Sequence, residues 1–188
     1  MTTIATPDAG PRTWPGVLII LAIAAFYAFG LPAINARLPG TAPEPGGVTV
    51  DLGSGVSVVT PTGWSADLAN MKPKDTLALR NDTSSLVATA FPWTGSEVEL
   101  IERTVSLFEG TRRFHVRGEP ATFRTERGLA GHTYRVFSGD TDGRVWVAAL
   151  PGGKVGVAVR VRGTPGLSSD ALRDAQAVVD SLQFQEAK

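Results

Sequence analysis

From Thr13 to Ala36 the chain carries no charged side chain, and the middle of this stretch, Val17 to Leu31, reads VLIILAIAAFYAFGL. No other feature restricts the fold as strongly, because an apolar run without a polar face does not make an ordinary surface helix. At a rise of about 1.5 Å per residue, roughly 20 such residues match a hydrocarbon core about 30 Å thick. The pattern predicts one transmembrane helix over residues 14–35. Trp14 stands where an interfacial anchor would, and Pro15 and Pro32 lie near the ends, where a missing amide hydrogen bond costs least. The competing reading is a cleaved signal peptide and a secreted domain, with Arg12 as the basic region and Ala36 as the last residue removed. Against it, the run is long and Ile34 is not the small residue expected two places before a cleavage site.

The span divides the chain into a cytoplasmic tail (1–13), the transmembrane helix (14–35), a Pro/Gly-rich linker (36–47) and one extracytoplasmic domain (48–188). Arg12 and the N-terminal amine nearly balance Arg37 under the positive-inside rule, so the orientation rests on the short tail, with the N-terminus inside. In the linker, Pro39, Pro43 and Pro45 alternate with Gly40, Gly46 and Gly47, a composition expected neither to form a helix nor to pair in a sheet. Extended at about 3.1 Å per residue, it would lift the domain about 20 to 30 Å from the lipid. Arginine outnumbers lysine fourteen to four and Ala, Gly and Val are abundant, the habit of a high-GC bacterium, so with the span the expected setting is a bacterial cell membrane and envelope.

Charge and cysteine content narrow the function classes. The 18 basic and 18 acidic residues cancel, which removes the overall field that gathers nucleic acid. With no cysteine there is no disulfide, no thiolate metal site, no cysteine nucleophile and no lipidated cysteine.

Beyond the linker the patterning predicts strands at 56–60, 77–80, 85–91, 132–138, 144–150 and 154–162, with further pairing segments at 48–51 and near 121–125. The turns Asn81 to Ser84, Gly139 to Gly143 and Pro151-Gly152-Gly153 are short enough to make antiparallel hairpins. A first helix opens at Ser96 with Glu99 three places on, a capping box, and carries Val98, Ile101, Val105 and Phe108 as its apolar stripe. A second opens at Ser168 or Ser169, with Ala171, Leu172, Ala175, Val178, Val179 and Leu182 as its stripe. The expected fold is α+β: an antiparallel sheet of about six strands flanked by helices, preceded by one transmembrane helix.

A strand running into Pro61-Thr62-Gly63-Trp64, a mid-chain helix, a meander of hairpins and a last helix closing on Asp180-Ser181-Leu182-Gln183-Phe184 follow one another in this order. The chain in this respect resembles PsbP-like domains, the fold shared by the photosystem II extrinsic protein, a Ran-binding nuclear import factor and bacterial cell-envelope proteins of the LpqN type. The resemblance covers about residues 48–185. It implies a helix-flanked antiparallel sheet that binds or stabilises another macromolecule and lacks catalytic residues.

The candidate chemical motifs have plainer explanations. His115 and His132 are the only imidazoles and have no carboxylate at ligand spacing. No Gly-x-Ser-x-Gly accompanies His132, so a nucleophilic triad is unsupported. Asp140-Thr141-Asp142-Gly143 begins like a calcium loop, but Arg144 and Pro151 stand where oxygen ligands are needed, and a hairpin turn explains it better. Gly153-Lys154 lacks the first glycine and the hydroxyl of a phosphate loop. Glu97, Glu99, Glu102 and Glu109 share one helix, where a solvated face explains them better than paired carboxylates for glycoside chemistry. Asn81-Asp82-Thr83 matches a glycosylation acceptor and reads as turn residues. No cofactor, metal or catalytic residue is assigned.

Charge is unevenly placed. Residues 111–135 hold six arginines against Glu119 and Glu126, whereas residues 67–110 hold seven acids against four bases. Surface pairing, worth about 0 to 1 kcal/mol per pair, accounts for much of this. Strand alternation over 154–162 puts Val155, Val157, Val159 and Val161 toward the core and Ala158, Arg160 and Arg162 on the opposite face. If the hairpins pair as drawn, Arg135 joins them. A guanidinium patch with Trp93 or Trp146 nearby suits an acidic protein, a phospholipid head group or a cell-wall polymer. Trp93, Arg135, Arg160 and Arg162 are therefore the candidate partner-binding residues. The leading expectation is a membrane-anchored, non-enzymatic accessory domain that binds an envelope protein or assembly. The alternatives are a carrier or sensor of a small amphiphilic envelope ligand, and a hydrolase of unknown substrate.

Overall fold

The computed structural model describes residues 14–30, 41–43, 46–110, 114–150 and 154–184. The chain divides into two compact units, Met1–Pro39 and Gly40–Lys188. In the first, the helix α1 (Trp14–Ala25) passes into a five-residue π-helical turn, Phe26–Gly30. Its side chains from Val17 to Phe29 stand exposed. Among the described residues no helix is long and apolar enough to cross a membrane. Residues 1–13 of the expected tail and 31–35 of the expected span lie outside the described residues.

The second unit is α+β. Its strands are β1 (Thr41–Pro43), β2 (Thr49–Gly53), β3 (Val56–Val59), β4 (Ser65–Asp67), β5 (Thr76–Arg80), β6 (Ser84–Pro92), β7 (His115–Arg124), β8 (Ala130–Ser138), β9 (Thr141–Ala149), β10 (Val155–Gly163) and β11 (Gln183–Phe184), and its helices are α2 (Glu97–Gly110) and α3 (Ser169–Asp180). Seven strands, extended at one edge by the three-residue β1, form an antiparallel sheet in the order β1-β4-β5-β6-β10-β9-β8-β7. A small antiparallel sheet, β11-β3-β2, lies beside it in the fold.

The expectation of one sheet of about six strands is corrected in two respects. β2 and β3 leave the main sheet for the small one, where β11 joins them through Gln183 opposite Ser57. β1, β4 and β11 have only two or three residues each, too few to display alternation. β7 is longer than its anticipated piece near 121–125 because a register shift between Arg117 and Ala121 interrupts its pattern.

The linker expectation is also corrected. Thr41–Pro43 pairs antiparallel with β4, Pro43 opposite Ser65, and the Gly47 amide donates to the Thr60 carbonyl. Proline is tolerated in β1 because an edge strand needs a ladder on one side only.

Alternation sorts the main sheet into two faces. On one, Val157, Val159 and Val161 of β10 are buried with Leu77, Leu79, Leu86, Ala88, Ala90 and Trp146 against Leu52, Val56 and Val58 of the small sheet and Ala171, Ala175, Val178 and Val179 of α3. On the other, Tyr134, Val136, Val145 and Val147 pack against Ile101 and Val105 of α2. Helix α3 starts where expected: Ser168 is its N-cap and accepts from the Ala171 amide at 3.1 Å. Helix α2 has its expected capping box, with the Glu99 amide donating to Ser96 Oγ (3.2 Å) and the Ser96 amide to Glu99 Oε2 (2.7 Å). Its stripe is corrected, since Val98 is 62% exposed while Leu100 is buried. The inward line begins at Glu97, which His132 holds, and continues through Leu100, Ile101, Thr104 and Val105. The Phe108 side chain lies outside the described residues.

Candidate functional site

Helix α2 packs chiefly on β9 and β7, and among the described residues clefts open beside it over β5, β6 and β10 of the same sheet face. The floor of this open half follows from register. Arg162 lies opposite Ser85, Arg160 opposite Val87 and Ala158 opposite Thr89; Ser85, Val87 and Thr89 in turn face Arg80, Ala78 and Thr76 of β5. All of these alternate away from the valine core. Two adjoining clefts of about 360 and 300 Å³ share Ser85 and Arg162. A hollow of about 120 Å³ beside Thr104 and Val145 adjoins the second cleft along Val87, Thr89 and Arg160. The result is a groove with Arg160 and Arg162 in its floor. One end is closed by Phe114 and by Thr141 and Thr164, whose hydroxyls are 2.7 Å apart.

Arg160 and Arg162 are half-buried. Burial holds the Arg160 guanidinium below its ordinary pKa, the charge of Arg162 lowers it further, and the Tyr134 hydroxyl works in the other direction. Burial alone lowers Arg162. Tyr134 is raised well above an ordinary phenol by burial, against the pull of a hydrogen bond with Thr104 and the charge of Arg160. Both guanidinium groups stay cationic near neutral pH, because arginine starts far above that range. Arg162 is steadied by the Phe114 ring, its guanidinium carbon 5.4 Å from the ring centroid. The acid Asp82 lines the first cleft and Asp67 the second.

Of the four expected partner-binding residues, Arg160 and Arg162 come together and the other two do not join them. Arg135 is opposite Arg144, which is opposite Val161, so it lies on the α3 face, the reverse of the one expected. There its Nη2 donates to Asp142 Oδ2 at 2.9 Å. Trp93 follows Pro92, the far end of β6 from Ser85, and its indole N–H donates to the Ser96 carbonyl at 3.2 Å. Its ring carries Arg103 instead, 5.7 Å from the centroid. Trp146 is buried in the core of the opposite face. The aromatic neighbour of the groove is Phe114, which sequence reasoning missed because it precedes β7 as a single residue with no pattern around it. Arg80 was missed too; its signal was the short turn Asn81 to Ser84, which sets Arg80 opposite Ser85 and beside Arg162.

The remaining polar motifs have local partners. His132 Nδ1 is 3.0 Å from Glu97 Oε1, a pairing across 35 residues that no local spacing reveals. Among the described residues no group of three or more His, Asp or Glu side chains is placed to hold a metal ion. Asn81 Oδ1 accepts from the Ser84 amide at 2.8 Å, so this segment is a side-chain-closed turn. Gly139 and Asp140 form the β8–β9 turn, and the carboxylate of Asp142 accepts from the Gly143 amide and from Arg135.

No protein-family model matches the chain, and no curated protein matches it. Among solved structures, a crystal structure of a protein from Bacteroides thetaiotaomicron is similar at 13% identity with a TM-score of 0.41, covering 78% of this chain. The match spans about half of that protein's length, 48%.

Proposed function

We propose that the domain is a non-enzymatic binding module, held at a bacterial cell membrane by its N-terminal segment, that docks an acidic surface of an envelope protein or assembly in the groove over Arg160 and Arg162. The observation that carries this reading is the pair itself. Two guanidinium groups occupy neighbouring positions of one strand face, partly removed from water, in a groove that α2 leaves open. Such cations favour a partner that supplies carboxylates in a fixed arrangement. The PsbP-like resemblance agrees, since domains of that kind bind or stabilise other macromolecules. The anchor reading rests on the uncharged run Thr13 to Ala36 and on the exposure of Val17 to Phe29. The expected orientation keeps the N-terminus in the cytoplasm and the domain outside.

Chemical crosslinking in intact cells, followed by mass spectrometry of the membrane fraction, tests both halves. The intact protein is expected in membranes, resistant to alkaline extraction, and trapped with a discrete neighbour. That adduct is expected to vanish in the Arg160→Glu, Arg162→Glu double variant. Neighbours unchanged by charge reversal would overturn the groove assignment, and intact protein free in the soluble fraction would overturn the anchor.

A further inference from the structure

Arg135, displaced from the groove, belongs to a different arrangement. Its Cα partner on β7 is Arg117 and its Cα partner on β9 is Arg144, so three arginines stand in one row across three adjacent strands, on the face away from α2. Directly opposed side chains on neighbouring strands lie about 5 Å apart, and like charges there destabilise a sheet. Among the described residues, α3 packs on β10 and β3, away from this row. The next row on the same face is His115, Phe137 and Asp142, in mutual register. It props the first: the Arg117 guanidinium lies over the Phe137 ring at 4.7 Å, and Asp142 holds Arg135 at 2.9 Å. Arg117 is exposed, the Arg135 side chain is 52% exposed and Arg144 is half-buried.

We propose that this row is a binding site for a phosphate monoester dianion. Three guanidinium groups against the carboxylate of Asp142 leave two positive charges. A phosphate monoester carries a charge of about −1.5 to −2 at neutral pH and presents three terminal oxygens. Guanidinium forks from neighbouring strands can take such oxygens from two sides at once, and a carboxylate offers one oxygen fewer and a single charge. A phosphodiester, with a single charge, leaves half of the row's charge unanswered. This site lies on the other face from the groove and does not depend on what the groove binds.

The test uses the full chain in a neutral detergent, labelled with ¹⁵N, with inorganic phosphate near pH 7.5 as the probe and arginine Nε–H resonances as the readout. Saturable shifts are expected at Arg117, Arg135 and Arg144, with Arg124 and Arg173 unmoved. Dimethyl phosphate and acetate are expected to bind about tenfold more weakly, as is phosphate to the Arg135→Gln or Arg144→Gln variant with unchanged near-ultraviolet circular dichroism. Shifts that never saturate, that spread equally over all arginines, or that dimethyl phosphate reproduces at the same concentration would overturn the proposal. So would full binding by both folded glutamine variants.

Discussion

In the proposed reading Arg160 is a binding residue held partly out of water. Burial and then the charge of Arg162 disfavour its charged form, while Tyr134 favours it. Arg160→Met is predicted to abolish partner capture with stability in urea denaturation changed by less than about 1 kcal/mol. A larger loss of stability in that variant would show that Arg160 is structural. Gly131 behaves in the reverse way. A Cβ added there would collide with the Val147 carbonyl oxygen and crowd Ala148 across the β8–β9 ladder. Gly131→Ala is predicted to cost about 1 to 3 kcal/mol by the same measurement, with the groove arginines untouched. Strand parity made Arg160 and Arg162 legible because alternation within one strand needs no knowledge of its neighbours. Arg135 was placed on the wrong face because its side depends on the register between strands, Arg135 opposite Arg144 opposite Val161. A one-residue difference in pairing reverses that answer.

At the level of elements, helix starts were the most readable features. Ser96 with Glu99, and Ser168 followed by Asp170, name their helices because a cap is a local hydrogen-bond solution that requires specific side chains at fixed spacing. Ser168→Ala is predicted to destabilise the domain by about 0.5 to 2 kcal/mol, measured by thermal or urea unfolding, since α3 covers the main core. Glu99 adds a pH dependence. The Ser96 amide and then the Ser96 hydroxyl hold its carboxyl below the ordinary range, so the favourable contribution is complete above that range and is lost as pH falls through the lowered value. Amide exchange in the first turn of α2, corrected for its intrinsic rate, is predicted to accelerate between about pH 6 and about pH 3, and to stay flat in Glu99→Gln. Equal acceleration in both would contradict the cap. Elements of two or three residues, such as β1, β4 and β11, were not legible. Such segments adopt strand geometry because a neighbouring ladder is offered to them, and their own side chains carry no period.

At the scale of the whole domain, helices α2 and α3 cover different parts of opposite sheet faces, α2 over β7 and β9 and α3 over β10. That placement creates the groove and could not be read from either amphipathic pattern, because a helix's stripe says that it covers a sheet and not which strands. The composition of residues 36–47 misled in the same way, since a Pro/Gly tract can still supply an edge strand. A chain starting at Gly40 is therefore predicted to melt as the full domain does, whereas one starting at Gly47 lacks β1, uncovers the edge of β4 and melts several degrees lower. Equal melting temperatures would show that β1 adds nothing. The groove's role is most directly measured by placing a photoreactive amino acid at Thr89, inside it, and irradiating intact cells. The expected product is one discrete adduct whose partner peptide is rich in aspartate and glutamate and whose yield collapses with Arg160→Glu and Arg162→Glu. An adduct on a neutral or basic peptide, or one indifferent to those two charges, would contradict the account.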